Sequence, residues 1–167
     1  DEEDAAMPAA PAGGLALRIP GHDVEAEIAR GGMGIVYRAW EREADRRVAL
    51  KMLLPHLADE EGMRERFRLE ARAAAALDHP AVLPVYHIGV ADEVPYFTMK
   101  LADGGSLLER RGRYAGKWRE IASLVASLAE AVHFAHAHGV LHRDLEPGNI
   151  LFDDRDRPYL SDFGLVK

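Results

Sequence analysis

A lysine stands where an apolar strand calls for a hydrophobic residue. Val48-Ala49-Leu50-Lys51-Met52-Leu53 otherwise reads as a buried β-run, and an ammonium drawn out of water must find an anionic partner. The available one is Glu70, which sits on the apolar stripe Met63, Phe67, Glu70, Ala74 and Leu77, spaced three or four apart as on one helical face. Either residue alone more often ends up solvated. Together, on two apolar faces, they read as a paired phosphate clamp.

The segments around this pair alternate in period. Val24 to Arg30, Ile35 to Glu41 and Arg47 to Leu54 are β-prone runs and predict a three-stranded antiparallel start. The period turns helical from Asp59 to Leu77 and stops at Asp78-His79-Pro80; Val82 to Val90 and Val94 to Leu101 then predict two more strands joined at Ala91-Asp92-Glu93. Ser106 is placed to cap a short helix reaching Arg111. Lys117 to His138 predicts a long helix with the stripe Ile121, Leu124, Val125, Leu128, Ala131, Val132 and Ala135, stopped by Gly139. Residues 142–164 read as loop, short strand, turn, short strand, loop. Residues 1–19, rich in Ala, Pro, Gly and acid, have the composition of a linker.

Composition narrows the function classes. A net charge of -7 gives no electrostatic reason to expect nucleic acid or an anionic membrane as partner. The absence of cysteine excludes disulfides, a thiol nucleophile and thiolate zinc sites, and fits a reducing, cytoplasmic setting. No run approaches the ~20 apolar residues of a membrane span. His133, His136, His138 and His142 lie close together, but without cysteine or carboxylate at ligand spacing they read as packing and motif residues rather than a metal centre.

Three segments carry chemistry. Ile28-Ala29-Arg30-Gly31-Gly32-Met33-Gly34-Ile35-Val36 puts glycines at a strand-to-strand turn, where missing side chains let backbone N–H groups approach phosphates. In His142-Arg143-Asp144-Leu145-Glu146-Pro147-Gly148-Asn149, Asp144 can accept the proton of an attacking hydroxyl. Asn149, with Asp162 of Asp162-Phe163-Gly164, offers hard oxygen ligands suited to magnesium. Two such ligands, one base and the Lys51–Glu70 clamp meet the needs of in-line phosphoryl transfer.

These segments, in this order and at spacings of 19 (Lys51 to Glu70), 5 (Asp144 to Asn149) and 13 (Asn149 to Asp162), resemble the eukaryotic-like protein kinases from about residue 20 onward. The loop Gly31 to Ala39 and Pro147-Gly148-Asn149-Ile150-Leu151 resemble the bacterial serine/threonine group. The resemblance implies an α+β, two-lobed fold. Residues 20–101 would form an N-terminal lobe of five antiparallel strands and one helix, and residues 102–167 the hinge and part of a mainly helical C-terminal lobe. It further implies ATP and Mg2+ as cofactors and protein Ser/Thr hydroxyls as acceptors. Lys51 and Glu70 would orient phosphates, Asp144 act as base, and Asn149 and Asp162 hold metal. Met99 would stand as gatekeeper, with the Lys100 carbonyl and Ala102 amide toward adenine. Val36, Ala49 and Leu151 would enclose its ring, and Asp103 the ribose. His142, Phe163 and Ala74 would form a regulatory stack.

Two departures qualify the resemblance. Ala29 takes the place of the loop's first glycine, a mild change because an extended strand accepts a methyl group. Glu146 takes the place of a lysine that contacts the γ-phosphate. At an effective dielectric near 20 a like-charge contact of about 4 Å costs on the order of 4 kcal/mol, so Glu146 is expected to slow transfer. Asp1 rather than Met at the start, and Lys167 soon after Gly164, are read as cut ends. The 167 residues alone are therefore expected to be inactive and marginally stable, with Leu124 and Leu128 partly exposed. The alternative is a pseudokinase, a nucleotide-binding or interaction module without catalysis.

Overall fold

Alternating apolar residues from His22 onward organise the first half of the chain into a sheet. A computed structural model describes residues 17–60 and 62–163. The strands β1 (His22–Arg30), β2 (Gly34–Glu41), β3 (Arg46–Leu53), β4 (Val85–Ala91) and β5 (Val94–Lys100) form one antiparallel sheet in the order β1-β2-β3-β5-β4. The β4–β5 turn uses Asp92 and Glu93 at φ 46° and 64°, the left-handed pair of a tight hairpin whose twist matches its strands.

Strand alternation gives the sheet two faces. Val48, Leu50 and Met52 point into a cluster with Ile35, Tyr37 and Tyr96. Ala49 and Leu53 point the other way, toward Phe67 and Ala71 of α2 (Met63–Ala75). Lys51 shares this second face, so the helix lies where the Lys51–Glu70 pairing requires it.

The helix expected from Asp59 to Leu77 is shorter at both ends. A separate turn, α1 (Pro55–Ala58), precedes it, and α2 begins only after Gly62 at φ 82°, a backbone state that breaks the helical run. Leu77 is buried beyond the helix end. The strand expected from Val82 begins at Val85; Val82 instead makes an isolated parallel bridge to Leu160.

The second half contains α3 (Leu107–Arg110), a 3-10 turn at Arg111–Tyr114, α4 (Trp118–Ala137), and a hairpin of β6 (Ile150–Phe152) and β7 (Pro158–Leu160). Ser106 and Glu109 cap α3 reciprocally. Gly139 follows α4 at φ 75°, as a helix stop requires. Ala131 and Ala135 of α4 pack with Phe152, Leu160 and Phe163. Leu124 is also buried there, against the expectation of partial exposure; Leu128 is half-buried, and Val125 is the exposed member at 57%. His133 and His136 likewise face solvent rather than the packing side.

Backbone bonds join the two halves: Leu83 N–H donates to the Leu160 carbonyl (2.9 Å) and Leu160 N–H to that of Ala81 (2.8 Å). Residues 1–16 of the expected linker, and Gly164 with the three residues after it, lie outside the described residues. Among the described residues no helix is long and apolar enough to cross a membrane.

Candidate active site

A cavity of about 1100 Å3 lies between the five-stranded sheet and the β6–β7 hairpin. Its roof is the β1–β2 turn. Gly34 is forced there by close approach, because a Cβ would lie 2.7 Å from the Met52 carbonyl oxygen of β3.

At the inner end, Lys51 Nζ lies 3.5 Å from Glu70 Oε1 and 2.5 Å from Asp162 Oδ1. The Lys51 and Glu70 side chains are only 13% and 12% exposed, whereas Asp162 keeps 40%. Burial alone would lower the Lys51 pKa, but the Asp162 and Glu70 carboxylates outweigh it and hold the ammonium above its usual value. Burial pushes the Glu70 carboxyl up, Lys51 offsetting part of the shift.

On the opposite wall Asn149 Nδ2 donates to the Asp144 backbone carbonyl (2.9 Å) and to Asp144 Oδ2 (3.2 Å). This holds the Asp144 carboxylate in place while its surface stays open to solvent. Ser161 donates to the Asn149 carbonyl oxygen through both its amide (2.9 Å) and its hydroxyl (3.1 Å), locking the segment that carries Asp162 to the one that carries Asn149. Arg143 and Asp162 adopt φ of 64° and 56°. Such left-handed states cost roughly 1–2 kcal/mol each and persist only where surroundings fix them.

Behind this wall His142 is buried, its ring 4.7 Å from that of Phe163. A carbonyl can only accept, so the 2.9 Å contact to Ser161 O assigns the proton to Nε2. Burial lowers the His142 pKa, favouring the neutral ring. Ala74 packs against the same cluster, so the three residues of the expected stack are brought together.

Nearly all the expected nucleotide-site residues line this one cavity: Ile28 to Gly34, Val36, Ala49, Lys51, Met99, Lys100, Ala102, Asp103 and Leu151, together with Glu70, Asp144, Asn149 and Asp162. Ile35 does not. Alternation on β2 turns Val36 toward the cavity and Ile35 into the cluster on the other face. Sequence reasoning missed Leu83, Leu101 and Ser161, apolar or small residues with no chemical signal of their own. It read Ser106 only as a cap, yet Ser106 and Glu109 both border the cavity. Glu146 lines it too, exposed, with Oε1 folded over Gly148, 2.9 Å from where a Cβ there would stand.

Sheet, helix, hairpin and cleft together define the class. The profile described as "Protein kinase domain" matches residues 22–167, and the chain belongs to that family. It is 39% identical over 165 residues to the DNA damage-responsive serine/threonine-protein kinase RqkA of Deinococcus radiodurans, covering 96% of this chain and 24% of that protein. It is 41% identical over 152 residues to the serine/threonine-protein kinase PknK of Mycobacterium tuberculosis, covering 88% of this chain and 13% of the relative. The chain thus spans a quarter or less of the length of these two relatives. The crystal structure of the M. tuberculosis PknI kinase domain superposes with a TM-score of 0.74 at 31% identity, over 95% of this chain and 64% of the other.

Proposed function

We propose that this chain carries the nucleotide cleft of a cytoplasmic serine/threonine protein kinase, which transfers the γ-phosphate of ATP to protein hydroxyls. Residues 20–101 act as the N-terminal lobe, and residues 102–167 supply the hinge and the catalytic wall. The observation that carries the reading is Lys51 Nζ between Glu70 and Asp162 at the buried end of the cavity, facing the Asp144–Asn149 pair across it.

Lys51 offers a fixed cation to phosphate oxygens, and Glu70 keeps it oriented. Met99 limits depth, while Val36, Ala49 and Leu151 supply an apolar slot for a planar base. The Lys100 carbonyl and Ala102 amide give that base its polar edge, and Asp103 stands at the ribose side. Asp144 takes the proton of the attacking hydroxyl.

The donor set fits magnesium. Asn149 spends its Nδ2 on Asp144, which leaves Oδ1 as a donor, and Asp162 presents a carboxylate. A divalent ion held there would neutralise charge on the phosphates. The family's kinases use ATP and Mg2+ in general, in keeping with this assignment. The test is transfer of labelled phosphate from ATP to Ser/Thr peptides by the full-length protein that contains these residues, with and without a chelator. No magnesium-dependent transfer to any hydroxyl substrate overturns the reading.

A further inference from the structure

The turn between β6 and β7 contains a carboxylate that the proposed chemistry does not use. Asp153 is 1% exposed and accepts from the amides of Arg155 and Arg157 (both 3.0 Å), from Arg157 Nε (2.8 Å) and from the Tyr159 hydroxyl (3.2 Å). Four donors from its own hairpin already satisfy it. A further cation nonetheless reaches in from another element: Lys100 Nζ, at the end of β5, lies 3.7 Å from Asp153 Oδ2 and 5.4 Å from the Tyr159 ring centre.

Lys100 begins the linker whose backbone forms the polar edge of the cavity. Its amide donates to the Pro84 carbonyl (2.9 Å), and its side chain is held by Asp153. At the linker's other end, Gly104 N–H donates to the Phe152 carbonyl (2.8 Å). The backbones touch closely enough there that a Cβ on Gly104 would stand 2.5 Å from the Asp153 carbonyl oxygen. One residue thus meets both ends of the linker, by side chain at Lys100 and by backbone at Gly104.

We infer that Asp153 is a positioning residue for the base-binding edge, fixing through Lys100 where the Lys100 carbonyl and Ala102 amide face the cavity. The inference rests on reading the cavity as a nucleotide site. A carboxylate that served the hairpin alone would gain nothing from Lys100, and a lysine at a strand end would otherwise extend into water.

The experiment is a double-mutant cycle on the full-length protein that contains these residues, with the Kd for ADP measured by calorimetry beside KM and kcat. Asp153→Asn is expected to raise Kd and the KM for ATP by about tenfold with kcat changed less than about twofold, because coupled neighbours share energies of this order. Lys100→Met should raise Kd comparably, and the double variant no further than either alone. Arg157→Leu, which strips the hairpin's guanidinium but leaves Lys100 on Asp153, should lower Tm without moving Kd. If Asp153→Asn unfolds the chain, Lys100→Met against Arg157→Leu still decides. Unchanged Kd in Lys100→Met, or equal increases in Lys100→Met and Arg157→Leu, overturns the inference while the nucleotide site stands. A wild-type chain that binds no adenine nucleotide removes both.

Discussion

Lys51 Nζ lies nearer Asp162 Oδ1, at 2.5 Å and 111 residues away in sequence, than Glu70 Oε1, at 3.5 Å and 19 residues away. One ammonium therefore joins a strand, a helix and the loop after β7. The helix partner is the enclosed one and the loop partner the more exposed, so the loop contact is the easier to exchange for a phosphate oxygen.

Removing that ammonium acts on catalysis and stability together. Lys51→Met is expected to lower kcat about 100-fold or more, the usual effect of losing one preorganised donor to developing charge. Its stability cost should fall below the roughly 3–5 kcal/mol of breaking an enclosed ion pair. Glu70, whose pKa is already raised, can take up a proton, and Asp162 can turn to water. Steady-state kinetics beside thermal unfolding checks both parts.

Asp144→Asn should separate chemistry from binding. The carboxylate faces solvent and accepts from Asn149, so its loss should leave the adenine side and Lys51 in place. A fall in kcat of about 10²–10⁴ with nucleotide affinity unchanged is the expected result. A matching loss of ADP binding would contradict the role of base.

Glu146→Lys is expected to raise turnover severalfold. A partly shielded like-charge contact costs about 4 kcal/mol, but Glu146 is exposed, where the same separation costs nearer 1 kcal/mol. That corresponds to about fivefold in rate. Comparing kcat of the two forms at low and high salt checks it, since a screened contact narrows the gap as salt rises.

Gly34→Ala should destabilise the roof of the cavity. The new methyl carbon would press on the Met52 carbonyl at 2.7 Å, backbone against backbone, and neither strand can yield without disturbing the β2–β3 ladder. Overpacking of this kind costs about 1–3 kcal/mol. Chemical denaturation, read as a shift in midpoint, measures it.

Asp153 predicts a pH signature. Burial would raise its carboxyl, but the Arg157 amide and guanidinium, the Arg155 amide and the Tyr159 hydroxyl hold it well below the usual carboxylate range. A depressed folded pKa means that the stabilisation is complete above the unfolded value of about 3.9 and fades as pH falls below it. The Tm gap between wild type and Asp153→Asn should be constant from neutral pH down to about 5 and narrow below about 4. A gap independent of pH would refute the ionised assignment.

Much of the fold was legible because its signals are local. The expected runs Ile35 to Glu41 and Arg47 to Leu54 became β2 and β3 within a residue or two, since alternation and a glycine turn act between neighbours. The start near Asp59 is not legible, because the apolar stripe begins only at Met63 and it is the left-handed backbone of Gly62 just before it that sets where the helix begins. Ile35 belongs with Val36 to the segment expected at the nucleotide, yet adjacent strand residues face opposite sides and it turns away. Leu124, expected to be partly exposed, is packed by α4 with Leu77, Phe152 and Leu160.

The sequence by itself determined the order of elements and the chemical kit: Lys51, Glu70, Asp144, Asn149 and Asp162 at spacings that assign this chain to its family. Beyond the Lys51–Glu70 pair it could not determine partners, because a side chain's partner depends on which surfaces the folded chain brings together. Only the tertiary structure decided that Asp162 takes the nearer place on Lys51, that Ser161 locks Asn149, and that Asp153 is buried with Lys100 upon it. Periodicity tells which residues leave water. Packing between distant segments tells what they meet when they do.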